Sequence, residues 1–241
     1  MTNQHNPRRL KRGAYQPKQE TPALLKVSGN PINGLGETAP RRPSPSSGIR
    51  PISMPMVNCR WAARQNMCKC PGYEAAFAGA RAYPELIPVC EVRNESPAEQ
   101  LAAEATAFAL AHGADGVGMV PMDPLYVFEG YTINEPWVVM LALSHNYERL
   151  KQVPSDETNG VGLADVGETY GHGTQASYAL ASWIRSQDYT AQPYPGPSAS
   201  ALLLIPPAID SGLGELGKHG SMISRQFGSG VCLPSRRHRR T

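Results

Sequence analysis

The hydrophobic positions of this chain gather in its second half and fall into short blocks of distinct period. Ser96-Pro97-Ala98-Glu99 has the form of a capping box with proline in the first turn, and the Ala-rich stretch behind it runs to His112 before Gly113 stops it. Leu101, Thr106, Phe108, Ala109 and Ala111 give that stretch an apolar face, so a helix is predicted over 96–112. The run GVGMV at 116–120 predicts a short buried strand. PWVVMLAL at 136–143 predicts a second, and its unbroken apolar character fits a central strand covered on both faces. Ala176, Ala179, Leu180, Trp183 and Ile184 recur at helical spacing and predict a helix over 170–186. A strand at 189–193 and a hydrophobic helix at 199–209 complete the pattern, which contains no internal repeat or heptad.

Before residue 57 the pattern fails. That stretch holds nine of the 23 prolines, and 39–52 reads APRRPSPSSGIRPI, with too little to bury to offset its ordering entropy. It predicts a disordered, basic, Pro-rich arm over 1–57, followed by an irregular or helical leader over 58–95 in which Trp61, Tyr73, Phe77, Tyr83 and Leu86 can pack. The 241 residues, 41% hydrophobic, are enough for one real core and exclude disorder throughout. The longest apolar runs fall far short of the roughly 20 residues of a membrane-spanning helix, so no membrane partner is expected.

Charge and cysteines narrow the picture further. The net charge of +3 divides into +8 over 1–60, −9 over 61–235 and +4 over 236–241. Basic charge that sits in two tails around an acidic body does not make a nucleic-acid surface, and no nucleic-acid partner is expected. The five cysteines, Cys59, Cys68, Cys70, Cys90 and Cys232, form no C-x-x-C pair, which is a poor disulfide framework and a poor zinc site. Arg8-Arg9 has the look of a twin-arginine export signal, but no apolar stretch follows it. The chain therefore reads as cytoplasmic, with reduced thiols.

The most informative stretch for chemistry is GLGELGKHGSMIS at 212–224. Its glycines let backbone approach a ligand closely, and Lys218 offers a positive charge; a glycine-rich turn between elements explains the same spacing. No phosphate-loop pattern is present. His145, Asn146 and Tyr147 stand just beyond the end of the predicted central strand, a position that favours ligand contact, and a tyrosine beside a cation such as Lys218 is equipped to donate a proton. His172 and His219 have no partner at i+4 to suggest a metal, and no D-x-H-x-x-G corrinoid motif occurs.

From about Ala103 to Val231 the order of features resembles the reductive dehalogenase family, the corrinoid and iron–sulfur enzymes related to epoxyqueuosine reductase. The pieces that carry the resemblance are HGADGVGMVP (112–121), EPWVVMLALSHNYE (135–148), YGHGTQASYALASWIRSQDY (170–189) and ALLLIPPAIDSGLGELGKHGSMISRQFGSGV (201–231). The last is the specific one. The resemblance implies an α/β (α+β) fold, a nitroreductase-like corrinoid-binding domain over 96–233, holding cobalamin with no protein histidine on cobalt. It implies reductive cleavage of a carbon–halogen bond in a small organohalide, with a tyrosine as proton donor and a neighbouring cation tuning it. Carried onto this sequence, Tyr147 is the donor and Lys218 its cation, while Gly212, Leu213, Gly214 and Gly217 face the corrinoid.

One departure matters. The family continues into two cysteine motifs whose eight thiolates hold two [4Fe-4S] clusters, and here only Cys232 stands in that region. The ending VCLPSRRHRRT places four arginines where an apolar strand is expected, and the neighbouring frame can spell a segment like LAAVATAAD. Residues 234–241 are therefore read as a basic, frameshifted tail on a truncated and impaired enzyme. The alternatives are a corrinoid carrier or processing module without clusters, and an epoxyqueuosine reductase-like enzyme acting on tRNA.

Overall fold

A computed structural model describes residues 42, 72–153, 159–195, 201–217, 220–233 and 235–239, with the backbone alone for Tyr73 and 235–239. The chain divides into two units, 1–41 and 42–241, and every described residue belongs to the second. Of the predicted arm only Arg42 is described. Its guanidinium donates to the carbonyl oxygens of Val127 (3.0 Å), Phe128 (2.5 Å) and Tyr131.

The organising element is β2 (Trp137–Ser144), the strand predicted from its unbroken apolar run. Successive side chains of a strand point to opposite faces, and both faces of β2 are covered. Val139, Leu141 and Leu143 enter one core cluster, while Val138 and Met140 enter another. Burial of each such side chain stabilises the fold by about 1.5–3 kcal/mol, so the positions from Val138 to Leu143 do not tolerate a polar residue. β1 (Gly116–Pro121) runs antiparallel along one edge of β2, with Gly118 opposite Met140.

The first core lies between the sheet and two helices, α2 (Ala98–Ala111) and α4 (Val161–Arg185), which follow α1 (Tyr73–Arg81) and a single turn, α3 (Tyr147–Leu150). Ala105 and Ala109 of α2, and Ala176, Leu180 and Ile184 of α4, meet β2 there. The second core is closed by the turn at Pro124–Tyr126, by α5 (Ile205–Asp210), and by a hairpin of β4 (Glu215–Leu216) and β5 (Met222–Ile223). The buried Tyr126 hydroxyl donates to Asp210; burial first, then that hydrogen bond, raises its pKa. Among the described residues no helix is long and apolar enough to cross a membrane.

Three elements differ from expectation, each for a local reason. The first large helix begins at Ala98 with Pro97 as its N-cap, so Ser96 is one residue out of register for a capping box and its amide donates to Asn94 Oδ1 at 3.0 Å. The helix expected at 199–209 shrinks to Ile205–Asp210, because Pro206 and Pro207 have no amide hydrogen and fit only a first turn. Leu202 instead bridges to Val127. Helix α4 starts nine residues before the predicted boundary. Its first half lacks apolar periodicity and packs by small residues: Gly79 of α1 faces Gly171, and Gly167 lies under Ala76 and Phe77.

Beyond β2 the sheet continues through β7 (Ser235–Arg239) to β3 (Thr190–Tyr194), all antiparallel, while β6 (Val231–Cys232) pairs with the last residues of β2. The segment expected as a tail thus supplies an inner strand. Arg236 takes the register position between Val139 and Pro193, and Arg237 that between Val138 and Gln192. Val138 and Val139 are fully buried, at 0% and 4% exposure.

One stability test follows from this packing. A Cβ at Gly167 would lie 2.8 Å from the backbone carbon of Ala76; Gly167→Ala is expected to lose about 1–3 kcal/mol to overpacking, more than the ~1 kcal/mol gained in helix propensity. A urea midpoint equal to or above wild type contradicts the close α1–α4 crossing.

Candidate functional site

The carboxyl end of β2 meets Gly230, six residues beyond the glycine-rich stretch. The amide of His145, the first residue past β2, donates to the carbonyl of Gly230 at 2.9 Å, immediately before β6 pairs with Ser144 and Leu143. Ser144 is itself pinned, its amide and hydroxyl both donating to Asp115 Oδ2 at 2.7 Å. Asn146 caps the α3 turn through its side chain, which accepts from the Arg149 amide at 3.2 Å. The loop 145–150 is therefore fixed at both ends.

Side chains on this loop reach across to the first half of α4. His145 Nδ1 lies 3.1 Å from Asp165 Oδ2, with both side chains largely buried, at 10% and 5% exposure. Arg149 lies 3.7 Å from the other oxygen of Asp165 and grips Glu168 with two hydrogen bonds, of 2.5 and 2.9 Å. The Arg149 hydrogen bond holds the Glu168 carboxyl below its ordinary range, with a smaller contribution from His172. Asp165, Glu168 and His172 share one helix face at i, i+3 and i+7 spacing. Asp165 escaped the sequence reading because the predicted helix began only at residue 170; the signal that could have found it is that i, i+3, i+7 pattern.

The predicted site residues are placed as follows. Tyr147 is the first residue of α3 and is 73% exposed; Lys151 Nζ lies 5.9 Å from its ring centroid. Lys218 lies outside the described residues, as does His219. Gly212 takes a left-handed φ of 82° and ends α5, its amide donating to Ile209 and that of Leu213 to Ala208. Leu213 packs against the second core. Gly214 lets two chains approach, since a Cβ there would lie 2.5 Å from the Ile223 carbonyl oxygen. Gly217 donates to the Ser221 carbonyl at 2.8 Å and closes the hairpin. Tyr147 and the 212–217 stretch share no hydrogen bond or ion pair among the described residues.

For a flat macrocycle the candidate surface is the hairpin of β4 and β5, where Leu216 and Ile223 are exposed and, with Glu215, Ser224 and Arg225, line a cleft of about 270 Å³. At Gly212, three residues before the hairpin, a Cβ would meet nothing within 4 Å, so the backbone there is bare. Two [4Fe-4S] clusters take eight thiolates, against five cysteines in the chain. Of the described cysteines, Cys90 is exposed and Cys232 is buried, its thiol pushed up to about 12 by burial. No group of three His, Cys, Asp or Glu able to hold a metal occurs among the described residues.

No family model matches the chain. Over 91 residues, 38% of its length, it is 31% identical to the tetrachloroethene reductive dehalogenase of Dehalobacter restrictus and 30% identical to that of Desulfitobacterium hafniense. That stretch is 15% of each of those proteins. Among solved structures, a reductive dehalogenase described as suggesting a mechanism for B12-dependent dehalogenation aligns with a TM-score of 0.55 and 17% identity, over 69% of this chain and 25% of that one. A catabolic reductive dehalogenase in complex with 3-bromo-4-hydroxybenzoic acid aligns with a TM-score of 0.54 and 18% identity, over 70% and 25%. This chain thus spans a quarter or less of the length of these relatives. It resembles the reductive dehalogenases in sequence over that stretch and in its mixed helix-and-strand fold over about two thirds of its length.

Proposed function

We propose that the chain is the corrinoid-facing part of a reductive dehalogenase-type oxidoreductase that acts on a small organohalide. The observation that carries this reading is the 31% identity to a named dehalogenase in a chain whose fold aligns with dehalogenase structures. Cobalamin would be held along the edge formed by Gly212, Gly217, Leu216 and Ile223, where backbone is bare and apolar side chains are exposed. When bound, it supplies the low-valent cobalt chemistry that breaks a carbon–halogen bond. The protein's own task is to orient the substrate and deliver a proton to carbon as halide leaves. Tyr147 carries that proton on its phenol, from a loop pinned by Asp115, Gly230 and Asn146, and the resemblance assigns the tuning cation to Lys218.

Binding and proton delivery are separable in solution. Hydroxocobalamin mixed with the 241-residue chain is expected to co-elute on gel filtration with a shifted visible spectrum. Free hydroxocobalamin alongside a chain that circular dichroism shows to be folded contradicts the reading. With titanium(III) citrate as reductant, halide release from tetrachloroethene or 3-bromo-4-hydroxybenzoic acid marks an enzyme; tight binding without it marks a carrier. In Tyr147→Phe, halide release is expected to fall about 100-fold or more with bound corrinoid unchanged, and retained turnover removes Tyr147 from the role.

A further inference from the structure

Arg42 grips backbone that lies 85 to 89 residues away from it in the chain. The stretch that receives it turns its carbonyls outward for a structural reason. The Tyr126 carbonyl accepts from the Leu203 amide at 2.8 Å, and the Phe128 amide donates to the Ala201 carbonyl at 3.1 Å. Val127, bridged antiparallel to Leu202, lies between these two bonds as one half of a pair that shares none, so its carbonyl faces the other side. The Phe128 carbonyl begins the next turn, accepting from the Tyr131 amide at 3.2 Å, and Gly130 makes that turn with a left-handed φ of 84°. The carbonyls of Val127, Phe128 and Tyr131 thereby converge. Nε of Arg42 donates to the first at 3.0 Å, and one terminal nitrogen donates to the other two.

These three hydrogen bonds leave one edge of a planar group. A guanidinium holds such donors in a fixed fork, whereas an ammonium is a compact point with its donors splayed. All three acceptors are neutral backbone carbonyls, so the placing of donors selects the ligand. The turn also covers the second core: Tyr126 and Val127 are buried in it, Tyr131 packs against it, and Met222 of the hairpin lies in the same cluster. Tyr126 fastens this cover through Asp210, and Arg42 fastens it at a second place.

We infer that the turn 127–131 is a guanidinium-binding site, that Arg42 is its intramolecular ligand, and that this docking latches the cover of the second core. The inference is independent of the corrinoid reading, since the site includes neither the loop of Tyr147 nor the hairpin.

The test is hydrogen–deuterium exchange of the 241-residue chain in peptides covering 124–133, where the amides of Tyr126, Val127 and Tyr131 are bonded within the segment and that of Phe128 to Ala201. In Arg42→Ala these peptides are expected to exchange at least about tenfold faster than in wild type, with 137–144 of β2 unchanged. Arg42→Lys keeps the charge and loses the fork, so it is expected to behave like Arg42→Ala. Ethylguanidinium, the tip of the arginine side chain, is expected to slow exchange in Arg42→Ala toward wild type, and ethylammonium at equal concentration to leave it fast. A second measurement uses the wild-type chain alone, labelled with nitrogen-15 in arginine. The Arg42 Nε–H, identified by its proximity to protons of 127–131, is expected to exchange at least about tenfold more slowly than that of free arginine. Where Arg42→Ala loosens 137–144 as well, this reading decides. Unchanged exchange of 124–133 in Arg42→Ala, full protection in Arg42→Lys, equal rescue by the two cations, rescue by neither, or an Arg42 Nε–H that exchanges like free arginine overturns the inference.

Discussion

The structure depends on a strand with no solvent side. Because β2 is buried on both faces from Val138 to Leu143, its faces meet apolar clusters, and its polar groups emerge at the end where Ser144 and His145 stand. Helices α2 and α4 close one face, the α5 and hairpin layer closes the other, and the candidate chemistry collects at that end. Ser144 is held by Asp115, His145 by Gly230 and Asp165, and Arg149 by Glu168. These contacts cost little in entropy because the strand and helix that present them are already ordered.

The same constraint gives β7 its part in the sheet. Its backbone completes the ladder between β2 and β3, which satisfies amide groups that would otherwise be orphaned in the interior.

Much of the fold was legible in the sequence where one signal dominated. The continuous run of β2 was read correctly because burial on both faces leaves no polar residue to blur the pattern, while the apolar block of β1 marks a strand that is only partly buried. The start of α4 was not legible, since its glycines and alanines are chosen for close approach to α1 and carry no hydrophobic period. The hydrophobic run at 201–209 suggested a long helix, and two prolines limited it to one short helix. Of the site, the loop after β2 was visible from its place behind the strand. Its partner Asp165 was hidden in the unpredicted half of α4, and the glycines of 212–217 proved to be spent largely on turns and chain-to-chain contact.

The central claim is that the loop after β2 and the glycine-rich hairpin form the two sides of one ligand site. Hydrogen–deuterium exchange of the 241-residue chain, with and without hydroxocobalamin, tests it most directly. The account predicts slowed exchange confined to two separate peptides, one covering 145–151 and one covering 212–223. Protection that falls on only one of them, or on neither while hydroxocobalamin is bound, contradicts it.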